Sequence, residues 1–391
     1  MVKPSSVIPR TARNLLRMRD PRPTDAGDPA PRARRGMTLC AILLFATVAR
    51  AETFRVFGSL GGESQFSPAN GASPLNPSNA GNVPYTTSSA DAALFADVKP
   101  ESGRWKLHAK LRADASDRGA DHLQIGEAYA QFNVAPWLDL TAGRVIEKWG
   151  TGYAWNPVGF VSPKKNPADP TDRRASYRGV DMLRADVFVR GLSASIYALR
   201  DGGAAARVYR LIGGTDVSLH VRRDGSGTQQ GISVARVFGD ALELHGEAAR
   251  RHALLGGQYT FRSNANVVVE LYHGGDGLSS TEWRSFRDVV ANGDGATIRE
   301  ANAHFVPLMM ARNYAFARLD WAPPESKLDV ELIAITNLRD RSSLARVTLT
   351  RKLRPNIAIY VIDTEFLGSS DSELAYVQVK RLTTFGARVY F

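Results

Sequence analysis

The feature that most constrains this chain is an alternation of apolar and polar residues with period two, from about residue 53 almost to residue 391. The clearest example is 105–114, where Trp, Leu, Ala, Leu and Ala alternate with Lys, His, Lys, Arg and Asp. The segments 215–222 and 345–350 repeat the pattern. Successive side chains of a strand point to opposite faces. The alternation therefore predicts strands with one apolar and one polar face.

The connections between the predicted strands alternate as well. The eighteen strands are predicted at 53–66, 87–98, 105–115, 123–134, 137–145, 180–190, 191–199, 206–213, 215–223, 228–238, 240–250, 253–262, 265–273, 310–321, 327–338, 342–353, 356–366 and 373–391. Every second connection is a short turn such as Gly213-Gly214, and the others include the long insertions 67–86, 146–179 and 274–309. A soluble sandwich gives no reason for this separation, whereas a transmembrane barrel has short periplasmic turns and longer outer loops.

These observations predict an all-β fold, a transmembrane antiparallel up-and-down β-barrel of 16–18 strands. Strands of about 9–11 residues cross a bilayer when tilted, and a closed barrel pairs its backbone without a long apolar run. Trp105, Trp137 and Trp321 adjoin short turns, where an interfacial aromatic girdle is expected.

The first 51 residues form a separate unit in this interpretation, and 52–391 form the barrel. Residues 1–35 are rich in Arg and Pro, 37–48 are mostly apolar, and Ala49-Arg50-Ala51 ends the stretch with small residues. This order is typical of a secretory signal peptide with cleavage before Glu52; the alternative is a buried core helix. The only cysteine, Cys40, lies in the apolar stretch, so no disulfide framework is expected.

The leader also explains the charge of the chain. The 50 Lys and Arg against 39 Asp and Glu give a net charge of +11, which by itself suggests nucleic acid as a partner. Residues 1–51 contain ten of the basic and three of the acidic residues, which leaves 40 against 36. We therefore expect no nucleic-acid partner.

The C-terminal end carries a recognisable pattern. Phe385, Ala387, Val389 and the terminal Phe391 share one period-two face. This ending resembles the C-terminal assembly signal of bacterial outer-membrane barrels. The resemblance implies insertion by the barrel-assembly machinery into a Gram-negative outer membrane, with membrane lipid and lipopolysaccharide as partners.

One segment is distinctive beyond the strand pattern. Residues 143–150 read GRVIEKWG, and Asn156-Pro157 and Asn166-Pro167 follow. This segment resembles the Gly-Arg-x-x-x-x-Trp-Gly…Asn-Pro stretch of porin-like outer-membrane proteins, including the alginate-export type, over about forty residues. The resemblance implies a passive channel whose inserted loop narrows the lumen. No motif selects alginate over other solutes.

Connection 146–179 is the predicted constriction. It has six basic and three acidic residues, and its X-Pro pairs favour stiff, extended backbone. A basic loop folded into a low-dielectric pore favours anionic or carboxylated small molecules or oligosaccharides; the alternative is an exposed loop that binds lipopolysaccharide phosphates or nothing. The candidate constriction or solute-contact residues are Arg144, Lys148, Trp149, Tyr153, Trp155, Asn156, Lys164, Lys165, Arg173, Arg174 and Arg178.

The wall of the lumen has mixed charge. The basic candidates are Lys106, Lys110, Arg112, Arg184, Arg222, Arg318 and Arg346, and a similar number of acidic residues share the same faces. Such near balance favours cross-strand ion pairs and a hydrated wall, although a mixed wall also suits zwitterions. Around 280–290 the period shifts towards helical; a disordered loop is the alternative.

Enzymatic motifs are missing from the sequence. None of the seven histidines belongs to an HExxH motif, and there is no GxSxG or phosphate-binding glycine loop. Glu243, His245 and Glu247 share one lumen row and form at most a weak metal site, for which a solvated wall is the favoured interpretation. We therefore expect a non-enzyme without catalytic residues, metal or cofactor. The alternative to a channel is a non-conducting barrel that organises or exports surface polysaccharide.

Overall fold

The protein is described by a computed structural model over residues 51–100, 103–117, 122–162, 165–167, 179–323 and 325–391, so the predicted leader lies outside the described residues except for Ala51. Each strand pairs antiparallel with the next, and β1 pairs with β18, so the sheet closes on itself. The predicted eighteen-stranded barrel is confirmed.

Most strand boundaries fall within two residues of the prediction. The strands are β1 Ala51–Phe66, β2 Thr86–Pro100, β3 Trp105–Ser116, β4 His122–Ala135, β5 Leu138–Val145, β6 Val180–Val189, β7 Leu192–Leu199, β8 Ala204–Ile212, β9 Thr215–Asp224, β10 Gly227–Phe238, β11 Leu242–Ala249, β12 His252–Thr260, β13 Ala265–Gly274, β14 Asn313–Trp321, β15 Leu328–Asn337, β16 Ser343–Arg354, β17 Ile357–Leu367 and β18 Arg381–Tyr390.

The alternation in the sequence separates the two faces of the wall. Outward residues such as Ile196 and Leu255 are 60% and 67% exposed, whereas inward residues such as Thr141 and His245 are 2% and 5% exposed. An apolar outer surface on a closed antiparallel ladder is the arrangement of an outer-membrane barrel. The described helices include none that is long and apolar enough to cross a membrane.

The two ends of the barrel differ as the connection lengths predict. Both ends of the barrel chain and the short turns lie at one end, with Trp137 and Trp321 exposed beside them. The connections 67–85, 275–312 and 368–380 lie at the other, outer end, where β5 ends before residues 146–162 and β6 begins after Gly179. The outer end therefore carries the segments that can cover or enter the lumen.

Two helices lie within connection 275–312. The predicted helix is confirmed as α1, Ser280–Ala291, which begins with a capping box between Ser279 and Glu282. The second helix, α2, Gly295–His304, was not predicted; Asp294 caps it by accepting the N–H of Thr297 at 2.9 Å.

The prediction for the last strand was wrong at its start. The strand covers Arg381–Tyr390, and the predicted residues before it form a 3-10 turn, Glu373–Tyr376, and an irregular segment. The apolar residues there imitate a strand in sequence, but Tyr376 packs against Trp283 and Phe286 of α1, with ring centroids 5.1 and 6.0 Å apart. They face a loop core and not lipid.

Barrel closure places one ion pair across the first strand. Arg388 of β18 reaches over Gly61 of β1 to both carboxylate oxygens of Asp91 on β2, at 2.7 and 2.8 Å. A Cβ on Gly61 would lie 2.7 Å from the Arg388 guanidinium, so glycine makes room for the pair. We call Arg388, Gly61 and Asp91 the closure pair site.

The terminal face lies outside, where the period-two pattern places it. Phe385, Val389 and Phe391 are 50%, 39% and 62% exposed. The backbones of Phe391 and Gly58 exchange hydrogen bonds at 2.8 and 3.0 Å. The assembly role of these residues stays a prediction.

Candidate functional site

Residues 146–162, which follow β5, lie inside the barrel, and we call them the inserted segment. Trp149 and Val158 are fully buried. The Trp149 ring lies 5.4 Å from the Tyr197 ring on β7 and 5.0 Å from the His220 ring on β9. The backbone carbonyl of Phe160 accepts a hydrogen bond from Arg222 of β9 at 2.6 Å. The segment therefore contacts the inner wall.

Glu247 of β11 holds the middle of the inserted segment. Its Oε1 accepts the backbone N–H groups of Thr151 and Gly152 at 2.5 and 2.6 Å, and its Oε2 accepts that of Val158 at 3.3 Å. Gly150 adopts a φ of +82°, and a Cβ there would overlap the Glu247 carboxylate. The backbone N–H groups of the segment thus bind this carboxylate as the free N–H groups at a helix N-terminus bind an anion.

Glu270 of β13 holds the next residues in the same way. It is fully buried and accepts the N–H groups of Tyr153 and, at 3.1 Å, Ala154. His245 Nε2 lies 3.2 Å from Glu270 Oε1. A buried carboxylate is costly unless it is hydrogen-bonded, so the segment and the two glutamates require each other.

The row Glu243, His245 and Glu247 is thus not the solvated wall that we favoured from the sequence. His245 and Glu247 are 5% and 4% exposed because the inserted segment covers them. Among the described residues no group of three or more His, Cys, Asp or Glu is arranged to hold a metal ion. Within this row Glu247 binds the segment directly, His245 contacts Glu270, and Glu243 contacts His245 and Gln258.

Aromatic stacking against β13 and β14 holds Tyr153 and Trp155 of the inserted segment. Trp155 lies almost parallel to Tyr272 of β13, with centroids 4.9 Å apart, and 5.5 Å from Tyr314 of β14. Tyr153 stacks on Phe316 at 5.2 Å. Such stacked pairs add about 0.5–1.5 kcal/mol beyond the area that they bury.

Two of the outer connections pack against the same buried cluster as Trp155. Leu308 from connection 275–312 and Leu374 from connection 368–380 join Trp155 in one buried cluster with inward residues of β12–β16. This part of the inner wall, on β12–β16, is therefore covered by protein chain and not by solvent. The expectation of a polar lumen on every strand was wrong here, because the inward positions of β13–β16 near the outer end are apolar.

Glu373 anchors these outer loops. The fully buried carboxylate accepts hydrogen bonds from Leu308 N at 2.6 Å, Met310 N at 3.3 Å, Tyr314 Oη at 2.8 Å and Asn337 Nδ2 at 2.7 Å. Burial raises the pKa of Glu373 from 4.5 to about 7, although the hydrogen bonds from Tyr314 and Met310 oppose the rise.

The rest of the inner wall carries the ion pairs that are predicted from its nearly equal numbers of basic and acidic residues. Arg112 pairs with Asp114 at 2.7 Å, Arg184 with Glu147 at 2.7 Å, Arg222 with Asp224 at 3.1 Å, Arg318 with Glu331 at 2.6 Å, and Lys106 with Asp97 at 3.4 Å. Lys110 lies over the Phe95 ring at 5.3 Å, and Arg346 is buried at 8% exposure. All seven residues belong to the inward set of their strands.

The structure brings part of the predicted constriction together. Trp149, Tyr153, Trp155 and Asn156 lie in the inserted segment, where Asn156 Nδ2 donates to Trp149 O at 2.5 Å. Lys165 Nζ donates to the carbonyls of Gly152 and Tyr153. Lys148 is exposed, and Lys164, Arg173, Arg174 and Arg178 lie outside the described residues. The constriction role of these residues stays a prediction.

Arg144 takes a different position. It lies at the outer end of β5 and pairs with Asp181 of β6 at 2.6 Å, while its Nη1 donates to Ile125 O at 3.3 Å. Both contacts are with neighbouring strands. The structure therefore does not join Arg144 to the contacts of the inserted segment.

Sequence reasoning placed Glu247 and Glu270 among the acidic residues that face the lumen but missed their attaching roles, and it missed Glu373 altogether. The available signal for Glu270 was a single carboxylate between Val268 and Tyr272 on the inward face of β13. An acidic residue on an otherwise apolar face needs donors, and the neighbouring strands supply too few. The missing donors come from the inserted segment.

An eighteen-stranded closed barrel with a long connection folded into its interior defines the class of porin-like outer-membrane β-barrels. OccK11 (OpdR) of Pseudomonas aeruginosa is similar, with a TM-score of 0.57 and 11% identity over 87% of this chain and 96% of that one. A triple mutant of Rhodopseudomonas blastica porin is 12% identical over 87% of this chain and all of that one, with a TM-score of 0.47. At this identity the likeness concerns the fold alone. No protein-family model and no curated protein matches the sequence.

Proposed function

We propose that the protein is a passive outer-membrane channel, and the inserted segment is the observation that carries this proposal. A barrel used only as a membrane anchor needs no chain inside it. Here Glu247 and Glu270 hold residues 151–158 against the inner wall through backbone hydrogen bonds. A segment fixed at that depth by its backbone and by the stacking of Tyr153 and Trp155 narrows the lumen.

We further propose that the channel favours small anionic or carboxylated solutes. Connection 146–179 has a net charge of +3, and Lys148 in its inserted part is exposed. Lys106 on β3 keeps 29% of its side chain exposed despite its pairing with Asp97. Fixed cationic groups around a narrow aqueous path raise the local concentration of anions.

Conductance in planar bilayers tests the proposal. Purified protein of residues 52–391 is expected to give discrete conductance steps with a reversal potential that shows anion preference. Replacing Lys164, Lys165, Arg173 and Arg174 by Gln should reduce that preference. The control variant Arg210→Gln with Arg236→Gln removes charges from the outward sets of β8 and β10 and should leave it unchanged. An unchanged reversal potential in the first variant would remove these residues from the constriction.

A non-conducting barrel that organises or exports surface polysaccharide is the second candidate. It is favoured by the outer loops, because Leu308 and Leu374 extend the buried cluster of the inserted segment towards the outer end. In the same bilayers this candidate predicts silence together with binding of an acidic polysaccharide. Conductance steps blocked by small carboxylates would reject it.

A further inference from the structure

Arg207 of β8 differs from most other arginines of the inner wall. Those that have a carboxylate oxygen within 3.1 Å are Arg112, Arg184, Arg222, Arg318 and Arg388. Within the described part of the chain Arg207 forms no ion pair, and its buried Nε–H has no acceptor. Its Nη2 reaches the Ser218 hydroxyl only at 3.5 Å. A guanidinium without a carboxylate is available to an anion that enters the lumen.

Arg207 lies beside the inserted segment. Its neighbours in register are Ser195 of β7 and His220 of β9. The Trp149 ring contacts both flanking strands, at Tyr197 and His220, so the segment crosses β8 at this level. Because β8 runs from the outer end to the periplasmic end, the inward residues that follow Arg207 line the lumen on the periplasmic side of the segment.

An acidic residue without a basic partner lies further along this part of the wall. Asp216 of β9 faces inward and, among the residues that the structure describes, forms no ion pair; it accepts the hydroxyl of Tyr209 on β8. The Tyr209 ring centroid lies 6.0 Å from Arg207 Cζ. All three residues are partly exposed on the inward face. The wall thus presents a cation, an aromatic ring and an anion in one row.

The spacing of this row indicates the length of a matching solute. Asp216 lies four residues before His220, the register partner of Arg207, so the Cα atoms of Arg207 and Asp216 are about 14 Å apart. The two side chains shorten this gap but form no ion pair with each other. A single α-amino acid carries both charges on one carbon and cannot contact both groups. An extended di- or tripeptide, at about 3.5 Å per residue, can.

We propose that Arg207, Tyr209 and Asp216 form a binding site for short zwitterionic peptides in the lumen, and we call it the peptide site. The guanidinium pairs with the peptide carboxylate, Asp216 with the terminal ammonium, and the Tyr209 ring lies under the chain between them. A monoanion gains nothing from Asp216, and a dicarboxylate is repelled by it. The peptide site rests on the proposed function, because it serves transport only in a conducting barrel.

Interruption of the single-channel current in planar bilayers tests the peptide site. The probes are triglycine, N-acetyl-triglycine and triglycine amide at about pH 6.5, where a free amino terminus is protonated. They share one backbone and carry both charges, only the negative charge and only the positive charge, respectively. Triglycine is expected to interrupt the current at the lowest concentration. The amide should need about tenfold more, because it loses the guanidinium pair, and the acetylated form about threefold more, because the pair at Asp216 is screened near the periplasmic end.

Two variants separate the two ends of the peptide. Arg207→Gln should remove the difference between triglycine and its amide, and Asp216→Asn should remove the difference between triglycine and its acetylated form. The control Arg210→Gln, outward on β8, should keep both differences. Heat-modifiable gel migration shows that each variant is a folded barrel.

The outcomes distinguish failure of the peptide site from failure of the channel. Conductance steps that all three peptides interrupt equally, or that none interrupts, would overturn the peptide site and leave the channel in place. Strongest interruption by the acetylated form would overturn the role of Asp216 and reduce the site to a simple anion site. Silent bilayers would reject the channel and the peptide site with it.

Discussion

The two sides of the inner wall are built in opposite ways. On β13–β16 near the outer end, the inward positions carry Val268, Tyr272, Phe316, Ile333 and Leu344, each at most 8% exposed. On β1–β3 and β18, the inward positions carry charges paired across strands, as at Asp91, Arg112 and Arg388. The first side is covered by the inserted segment and the outer loops, and the second is satisfied by its own ion pairs.

This difference shows what the apolar–polar alternation along a strand does not determine. Alternation determines which residues point inward, but an inward position can face water or folded chain. Apolar residues at inward positions mark the part of the wall that a loop covers. Paired charges mark the part that the lumen still wets. In the proposed channel the solute path therefore follows the charged side.

The largest expected loss of stability follows from removing the Trp155 side chain on the apolar side. Trp155→Ala removes a ring stacked on Tyr272 and Tyr314 and leaves a cavity, which typically costs about 3–5 kcal/mol. Thermal unfolding followed by heat-modifiable gel migration should show a lower transition temperature and, in bilayers, noisier conductance. Trp137→Ala, which changes an exposed girdle residue, is the control and should have a smaller effect. Equal shifts would mean that the inserted segment does not stabilise this side.

The closure pair site gives the corresponding test on the charged side. Arg388→Gln leaves Asp91 buried without its bidentate partner, and breaking a buried pair costs about 3 kcal/mol or more. The double change with Asp91→Asn should recover part of the loss. The control Arg381→Gln breaks a half-exposed pair with Asp363 and should cost less than about 1 kcal/mol. A double variant as unstable as Arg388→Gln would show that the charge itself is not the cause.

The pH dependence of the outer loops is the third test. The pKa of Glu373 is raised to about 7 in the fold, so the folded state binds a proton more tightly than the open loop does. Stability from this group is complete below about pH 4.5 and is lost as the pH rises through 7, by at most about 3 kcal/mol at roughly 1.4 kcal/mol per unit. The protection factors of the amides of 305–311, which are the intrinsic exchange rates at each pH divided by the observed rates, should therefore fall between pH 5 and pH 8. Glu373→Gln should abolish this change in protection, and protection that rises with pH would contradict the assignment.

The smallest expected effect concerns one exposed wall cation. Lys106→Gln removes a charge that Asp97 already offsets at 3.4 Å, so anion preference should fall by less than about twofold because partly exposed pairs are screened. The reversal potential in a salt gradient measures it, with Arg210→Gln as the outward control. A large loss of anion preference would place the narrowest point of the solute path at β3 and not at the inserted segment.

The sequence predicts the strands well because each strand carries its own two-faced pattern. Loop parity, the closing pair of strands and the position of Trp137 and Trp321 follow from that pattern. The route of connection 146–179 does not, since it depends on Glu247 and Glu270, which lie about a hundred residues away in sequence. The misassigned start of β18 has the same origin, because Leu374 and Tyr376 alternate like a lipid-facing strand but pack against loops.

Much of the attachment of the inserted segment runs through its main chain. The position of its backbone therefore does not depend on the identity of every side chain. Five backbone N–H groups, between Thr151 and Val158, bind the two wall glutamates, and any residue other than proline supplies such a donor. An exposed side chain such as Thr151 can therefore be exchanged while the backbone stays in place. In the proposed channel, exposed positions of the lining can thus change for new solutes without any change in the wall residues that hold the segment.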